Sequence, residues 1–226
     1  MNRDLLERLL SARHDRRAVA LVTDLETGAQ RIVGEDDAPE DTLSAALASA
    51  FRFDRSGVTS TEEGEFFVNV YNPPLKLVAV GAVHIAQSLI PIARLAGYDV
   101  TVIDPRVAFA SAERFPGVTL SVDWPDEALK SIGLDRRTGF VALTHDPKID
   151  DPALTIALQS TCFYVGALGS KKTHAGRLER LEAAGVEADA LARIHAPIGL
   201  AIGARGPAEI AIAIMAEMTK ALRQEQ

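Results

Sequence analysis

The sequence is poor in the residues that would tie it to several protein classes. It has one cysteine, Cys162, in 226 residues, so a disulfide scaffold is excluded. Aromatic residues make up 5%, too few for an extended base-stacking surface. Basic residues are outnumbered, 24 Lys and Arg against 31 Asp and Glu, for a net charge of −7. That balance argues against a nucleic-acid partner, because a phosphate backbone needs a basic face. No apolar run reaches the ~20 residues that span a bilayer. The opening Met-Asn-Arg-Asp-Leu-Leu-Glu carries an acid where a secretory leader has only basic and apolar residues. The expectation is a soluble, cytoplasmic protein with no membrane partner.

What is present is globular composition, 47% hydrophobic and 24% charged. A chain of this length buries roughly 70% of its unfolded surface, so disorder is excluded for most of it. Two patterns follow each other. In residues 1–74, a short amphipathic helix over 5–13 places Leu5, Leu9 and Leu10 on one side. An apolar strand over 18–25 turns at Thr27-Gly28 into a partner over 30–33. A helix over 41–51 follows the start signal Pro39-Glu40-Asp41-Thr42, and strands over 57–61 and 65–71 flank Glu63-Gly64. Asn72-Pro73-Pro74 is a stiff break, since neither proline can donate to a sheet. The boundary placed there gives a small α+β domain, 1–74, and a second domain, 75–226.

From residue 75 short apolar strands (75–80, 99–103, 139–143, 162–165) alternate with helices (83–96, 147–159, 172–184, 207–222). Strands without polar alternation are buried on both faces. The fold class is therefore α/β, a Rossmann-like parallel sheet with helices on both faces.

The chemistry-bearing residues cluster after the strands. The first strand runs into Gly81-Ala82-Val83-His84-Ile85-Ala86, the place of a dinucleotide fingerprint. Gly81 suits the sharp turn and Ala86 the close helix packing, but Val83 stands where a glycine lets a pyrophosphate approach. Asp104 ends the second strand, 23 positions after Gly81, where an acid takes ribose hydroxyls. Thr144-His145-Asp146 closes another strand, so His145 and Asp146 are placed for function or, for Asp146, for capping the next helix. Gly166-Ala167-Leu168-Gly169-Ser170-Lys171-Lys172 opens a helix with glycines, a serine and two lysines, a phosphate-type arrangement. His195 lies in a long loop over 193–205 that also holds Gly199. His84, His145, Asp146 and His195 are a conceivable metal set, but no pair has the i, i+4 spacing of a zinc motif, and no metal site is assigned. Cys162, inside an apolar strand, reads as structural. His14 and His174 read as solvated.

Taken in order, Gly81-Ala82-Val83-His84-Ile85-Ala86, Asp104-Pro105-Arg106, Thr144-His145-Asp146, Tyr164 to Lys172 and His195-Ala196-Pro197-Ile198-Gly199-Leu200 resemble the XdhC/CoxI family of molybdenum-enzyme maturation factors. Pro207-Ala208-Glu209-Ile210-Ala211 extends the match, which covers about 75–220. The resemblance implies a chaperone that binds the molybdenum cofactor, a pterin carrying a phosphate or a nucleotide, and delivers it to an apo-enzyme of the molybdenum hydroxylase class (xanthine dehydrogenase or CO dehydrogenase type). It also implies a cysteine desulfurase as a further partner and a homodimer, with no catalytic nucleophile. Gly81, His84, Asp104, His145, Asp146, Gly166, Gly169, Ser170, Lys171, Lys172, His195 and Gly199 are then the cofactor-binding residues. Three features depart from the family pattern: Val83 for its second glycine, Ala201 for a polar residue after Gly-Leu, and no cysteine in residues 1–74. The same first turn and Asp104 also fit an NAD(P)-dependent oxidoreductase with His145 or His195 as the acid–base group. A third reading is a scaffold that binds only protein.

Overall fold

The structure, a computed structural model, describes residues 2–37 and 42–224. The chain divides into two compact units, Met1–Pro73 and Pro74–Gln226.

The first unit runs α1 (Arg3–His14), β1 (Val19–Asp24), β2 (Gln30–Gly34), α2 (Ser44–Phe53), β3 (Gly57–Thr61) and β4 (Gly64–Tyr71). Its strands form an antiparallel sheet in the order β2-β1-β4-β3. Alternation along β1 sends Ala20 and Val22 to one face, where they pack with Val33, Val68 and the α2 residues Leu47, Ala50 and Phe51. In α1 the buried residues are Leu9 and Ala12, while Leu10 is exposed, so the apolar stripe is narrower than the three leucines suggest. Asn2 caps α1 by accepting from the Leu5 N–H. The start signal expected for the next helix lies at 39–42, of which 39–41 fall outside the described residues; α2 itself begins at Ser44.

The second unit is β5 (Lys76–Val80), α3 (His84–Leu95), β6 (Asp99–Ile103), β7 (Thr119–Ser121), α4 (Pro125–Ile132), β8 (Thr138–Ala142), α5 (Pro147–Gln159), β9 (Tyr164–Ala167), α6 (Lys171–Ala183), α7 (Ala188–Leu191), β10 (Ile194–His195) and α8 (Pro207–Arg223). The six strands are parallel, in the order β10-β9-β8-β5-β6-β7. Counted along the chain this is the order of dinucleotide-binding folds, and it reverses between β5 and β8. The α/β reading with a Rossmann-like parallel sheet therefore holds.

Period-2 alternation splits each strand between two cores. Leu77 and Ala79 face α3 and α8, with Leu89, Ala93, Ile214 and Met218. Val78 and Val80 face α4, α5 and α6, with Leu129, Leu154 and Leu181. Burying each large side chain contributes about 1.5–3 kcal/mol, so both faces anchor the sheet on which the site is built.

Three expectations need correction. The strand expected over 162–165 begins at Tyr164, because Cys162 and Phe163 precede the first ladder pair, Gly139 with Tyr164. Cys162 is buried all the same, and burial pushes its thiol up to about 11. The loop over 193–205 contains β10, which extends the sheet beside β9. His174 is only partly exposed: among the described residues its Nδ1 is buried without a partner, and burial together with Arg177 lowers its pKa.

Candidate ligand site at the carboxyl ends of the strands

Chain reversal at β5 and β8 leaves a crevice outside their carboxyl ends, the usual ligand position in such sheets. Its walls are the turns after β5, β6, β8 and β9.

The turn after β5 depends on Gly81. Its φ is +114°, a region L side chains rarely adopt. A Cβ there would meet the Thr144 methyl at 2.7 Å and the Leu143 carbonyl carbon at 3.2 Å. The glycine therefore lets the β8 turn close against the β5 turn. Val83 takes the N-cap position of α3 with extended backbone (φ −93°, ψ 175°) and gives no side-chain cap. Among the described residues, the first N–H groups of α3 have no side-chain acceptor. His84, the first helical residue, is exposed.

Asp104 is not the open ribose acid that its place in the sequence suggests. Its side chain is 0% exposed. One oxygen accepts from the Arg106 backbone N–H (3.0 Å) and Nε (2.8 Å), the other from the Ala82 N–H (2.8 Å) and Arg106 Nη2 (2.7 Å). Those four bonds fill the acceptor sites of a carboxylate. Burial pushes its pKa up, but the bonds from Arg106 and Ala82 outweigh that and hold it below the usual value. Asp104 braces the β5 turn and aims Arg106.

After β8, Thr144-His145-Asp146 forms a strained turn. His145 is exposed and sits at φ +68°, costly for a residue with a Cβ. The conformation is held by Asp150, a residue that no motif marks in the sequence. Its buried carboxylate accepts from the Thr144 hydroxyl (2.7 Å) and the His145 N–H (3.1 Å). Asp146 caps α5 by accepting from the Lys148 N–H at 3.0 Å, so the capping role is real.

After β9, Gly169 (φ +143°) leads into Ser170, which caps α6 by accepting from the Thr173 N–H at 3.1 Å. Lys171 and Lys172 are exposed. Beneath the turn lies Arg177, 2% exposed, donating through Nη2 to the Leu168 carbonyl at 2.8 Å and lying 3.9 Å from Asp150. Among the described residues its Nε and Nη1 are buried without partners. Burial pushes the Asp150 pKa up and the Arg177 pKa down, and the pair ties the β8 turn to the β9 turn.

Three expected site residues lie elsewhere. Gly166 is inside β9, where a Cβ would meet Ile198 at 2.6 Å and Tyr164 at 2.7 Å. Gly199 (φ +90°) lies against α8, with a would-be Cβ 3.0 Å from the Ala213 backbone. Both make room for packing. His195 is on β10, three strands from β5 and so about 14 Å across the sheet. Its ring stacks on Tyr164 at 4.6 Å, and Nδ1 lies 3.3 Å from Glu217 Oε1. Glu217 also accepts from the Tyr164 hydroxyl (2.6 Å) and the Gly199 N–H (2.8 Å). Burial raises its pKa, and these bonds, led by His195, overcome that and lower it. His195 and Glu217 line a cavity of about 790 Å³ with Cys162, Phe163 and Lys220. The structure does not bring His84, His145, Asp146 and His195 together.

The residues at the crevice fall in the segments that carry the family resemblance, and those segments lie within the stretch that the family comparison matches. Residues 77–218 match the XdhC Rossmann domain. The chain belongs to the XdhC family. The chain is 30% identical over 157 residues to the molybdenum cofactor insertion chaperone PaoD of Escherichia coli, covering 69% of this chain and 43% of PaoD. It is also 30% identical over 156 residues to a probable xanthine dehydrogenase subunit from Bacillus subtilis, covering 67% and 44% of the two chains. The chain thus spans under half the length of these relatives. A crystal structure described as a xanthine dehydrogenase from Bacillus halodurans superposes with a TM-score of 0.68 at 24% identity, over 99% of this chain and 65% of that one, which shows a shared fold. Among the described residues, no helix is long and apolar enough to cross a membrane.

Proposed function

We propose that this XdhC chain is a molybdenum-cofactor chaperone: it holds the pterin cofactor in the carboxyl-end crevice and passes it to a molybdenum hydroxylase apo-enzyme. The observation that carries this reading is one of placement. Four segments of the family pattern, far apart in the sequence, end on one side of the sheet around the switch between β5 and β8. The names of the relatives from Escherichia coli and Bacillus subtilis support the same class of role.

The residues fit such a ligand. The uncapped start of α3 offers backbone donors to an anion. His84 and His145 are exposed imidazoles on the two turns nearest the switch. Lys171 and Lys172 add cationic charge at the start of α6. The bound group would supply the molybdenum–pterin chemistry, and this chain's residues would bind and orient it. The dinucleotide-oxidoreductase reading loses its main support, because Asp104 has no acceptor site left for a ribose hydroxyl.

The test is transfer. Cofactor pre-bound to the wild-type chain should restore activity to a molybdenum hydroxylase apo-enzyme faster than free cofactor does. Equal rates with and without the chain refute the chaperone role.

A further inference from the structure

The Asp104–Arg106 pair reverses the sign of the charge that the β6 end presents to a ligand. A free aspartate there would accept ribose hydroxyls and repel a phosphate. In this chain the acid is sealed in, and the guanidinium is the exposed partner, with 35% of its side chain accessible. Nε and Nη2 are spent on Asp104. Nη1 makes no hydrogen bond among the described residues. The guanidinium carbon sits 4.5 Å from the centre of the Phe109 ring, so the group is held on one side by a carboxylate and by an aromatic ring. The bond to Asp104, and to a smaller degree the charges of Asp146 and Asp150 from the β8 turn, raise the Arg106 pKa, so the group stays cationic. Neighbouring apolar side chains are exposed at the same end of the sheet: Val107 and Phe109 after β6, Val122 and Trp124 after β7.

We infer that Arg106 is the anion-recognition residue of the crevice, and that the ligand bound there turns a phosphate, not a ribose diol, toward β6. A pre-oriented guanidinium with a free N–H edge matches a phosphoryl group. Exposed apolar side chains beside it suit a ligand whose phosphate is joined to a flat ring. This deepens the cofactor reading and rests on it for the identity of the ring. It shifts the phosphate from the lysines at the start of α6 to the opposite wall of the crevice.

The test uses two probes, orthophosphate and the intact molybdenum cofactor, on the full chain. Arg106→Lys keeps a cation for Asp104 but lacks the guanidinium edge. It should weaken both probes roughly tenfold or more, the scale of one charge-assisted hydrogen bond, while the melting temperature stays near wild type. The double variant Asp104→Asn with Arg106→Gln removes the buried charge along with its partner, and carries the same expectation should lysine fail to hold the fold. Lys171→Ala with Lys172→Ala should change either affinity by less than Arg106→Lys does. Phosphate and cofactor binding unaltered in Arg106→Lys overturns the assignment and leaves the cofactor reading standing. Absent cofactor binding in wild type, with phosphate binding that Arg106→Lys abolishes, overturns the cofactor reading and leaves Arg106 in place. No saturable phosphate binding to wild type overturns the Arg106 assignment outright.

Discussion

Arg106 grips the buried Asp104 through two guanidinium bonds of 2.8 and 2.7 Å, and Asp104 in turn holds the Ala82 N–H of the β5 turn. One ion pair therefore sets the shape of two walls of the crevice. Its pH behaviour follows from the lowered pKa of Asp104. An acid with a depressed folded pKa contributes stability above its unfolded value near 3.9, and that stability is lost as pH falls through the folded pKa. Urea denaturation at stepped pH should show wild type weakening below about pH 4. Asp104→Asn should flatten that part of the profile. An unchanged acid limb in the variant contradicts the pair's role.

Gly81 makes a sharper steric claim. Its positive φ and the 2.7 Å approach to the Thr144 methyl leave no space for a side chain. Gly81→Ala should cost about 2 kcal/mol, read as a fall in denaturant midpoint. Adding Thr144→Ser removes the methyl and should recover part of the loss, but not the part owed to φ. Full stability in Gly81→Ala would mean that the two turns are not packed in this way.

Asp150 and Arg177 are the hidden supports of the β8 and β9 turns. Breaking a buried pair by removing one partner costs about 3–5 kcal/mol, because the other charge is stranded. Arg177→Met and Asp150→Asn should each destabilise strongly. Together they should cost clearly less than the sum of the two. Additive losses would show that the 3.9 Å approach carries no coupling.

Much of this architecture is legible in the sequence. The strand–helix alternation from residue 75 reads directly, since the apolar runs over 75–80 and 99–103 are central strands buried on both faces. β7 and α4 escape because Thr-Leu-Ser is too short for periodicity, and because the apolar residues of α4 are few. The glycine at 81 and the turn at 144–146 are readable from their places after strands. Asp150 and Arg177 could be found by one signal, a charged residue on the apolar face of a helix: Asp150 falls among Ile149, Ala153 and Leu154, and Arg177 lies four before Leu181. The role of Asp104 is not readable, because the sequence does not reveal which carboxylate its neighbour will fill. His195 misleads for a related reason. A histidine in a glycine-rich loop looks free, whereas Tyr164 and Glu217, distant in sequence, claim it.

Glu217 gathers His195, Tyr164 and Gly199 at the sheet edge, so Glu217→Gln should cost about 1–2 kcal/mol of stability at neutral pH. Its lowered pKa means that the contribution is present above about pH 4.3 and fades as pH falls through the folded value. Because His195 lies three strands from β5, His195→Ala should leave cofactor affinity within twofold in a calorimetric titration. A tenfold loss would place His195 in the binding site after all.

The central claim is that the carboxyl-end crevice holds the molybdenum cofactor. Anaerobic calorimetric titration of the intact chain with that cofactor, alongside NADH and NADPH, tests it most directly. The account predicts saturable binding of the cofactor at one site per chain, weakened by His145→Ala, with neither nicotinamide competing at equal concentration. Nicotinamide binding in place of the cofactor, or cofactor binding indifferent to His145→Ala and Arg106→Lys alike, would contradict it.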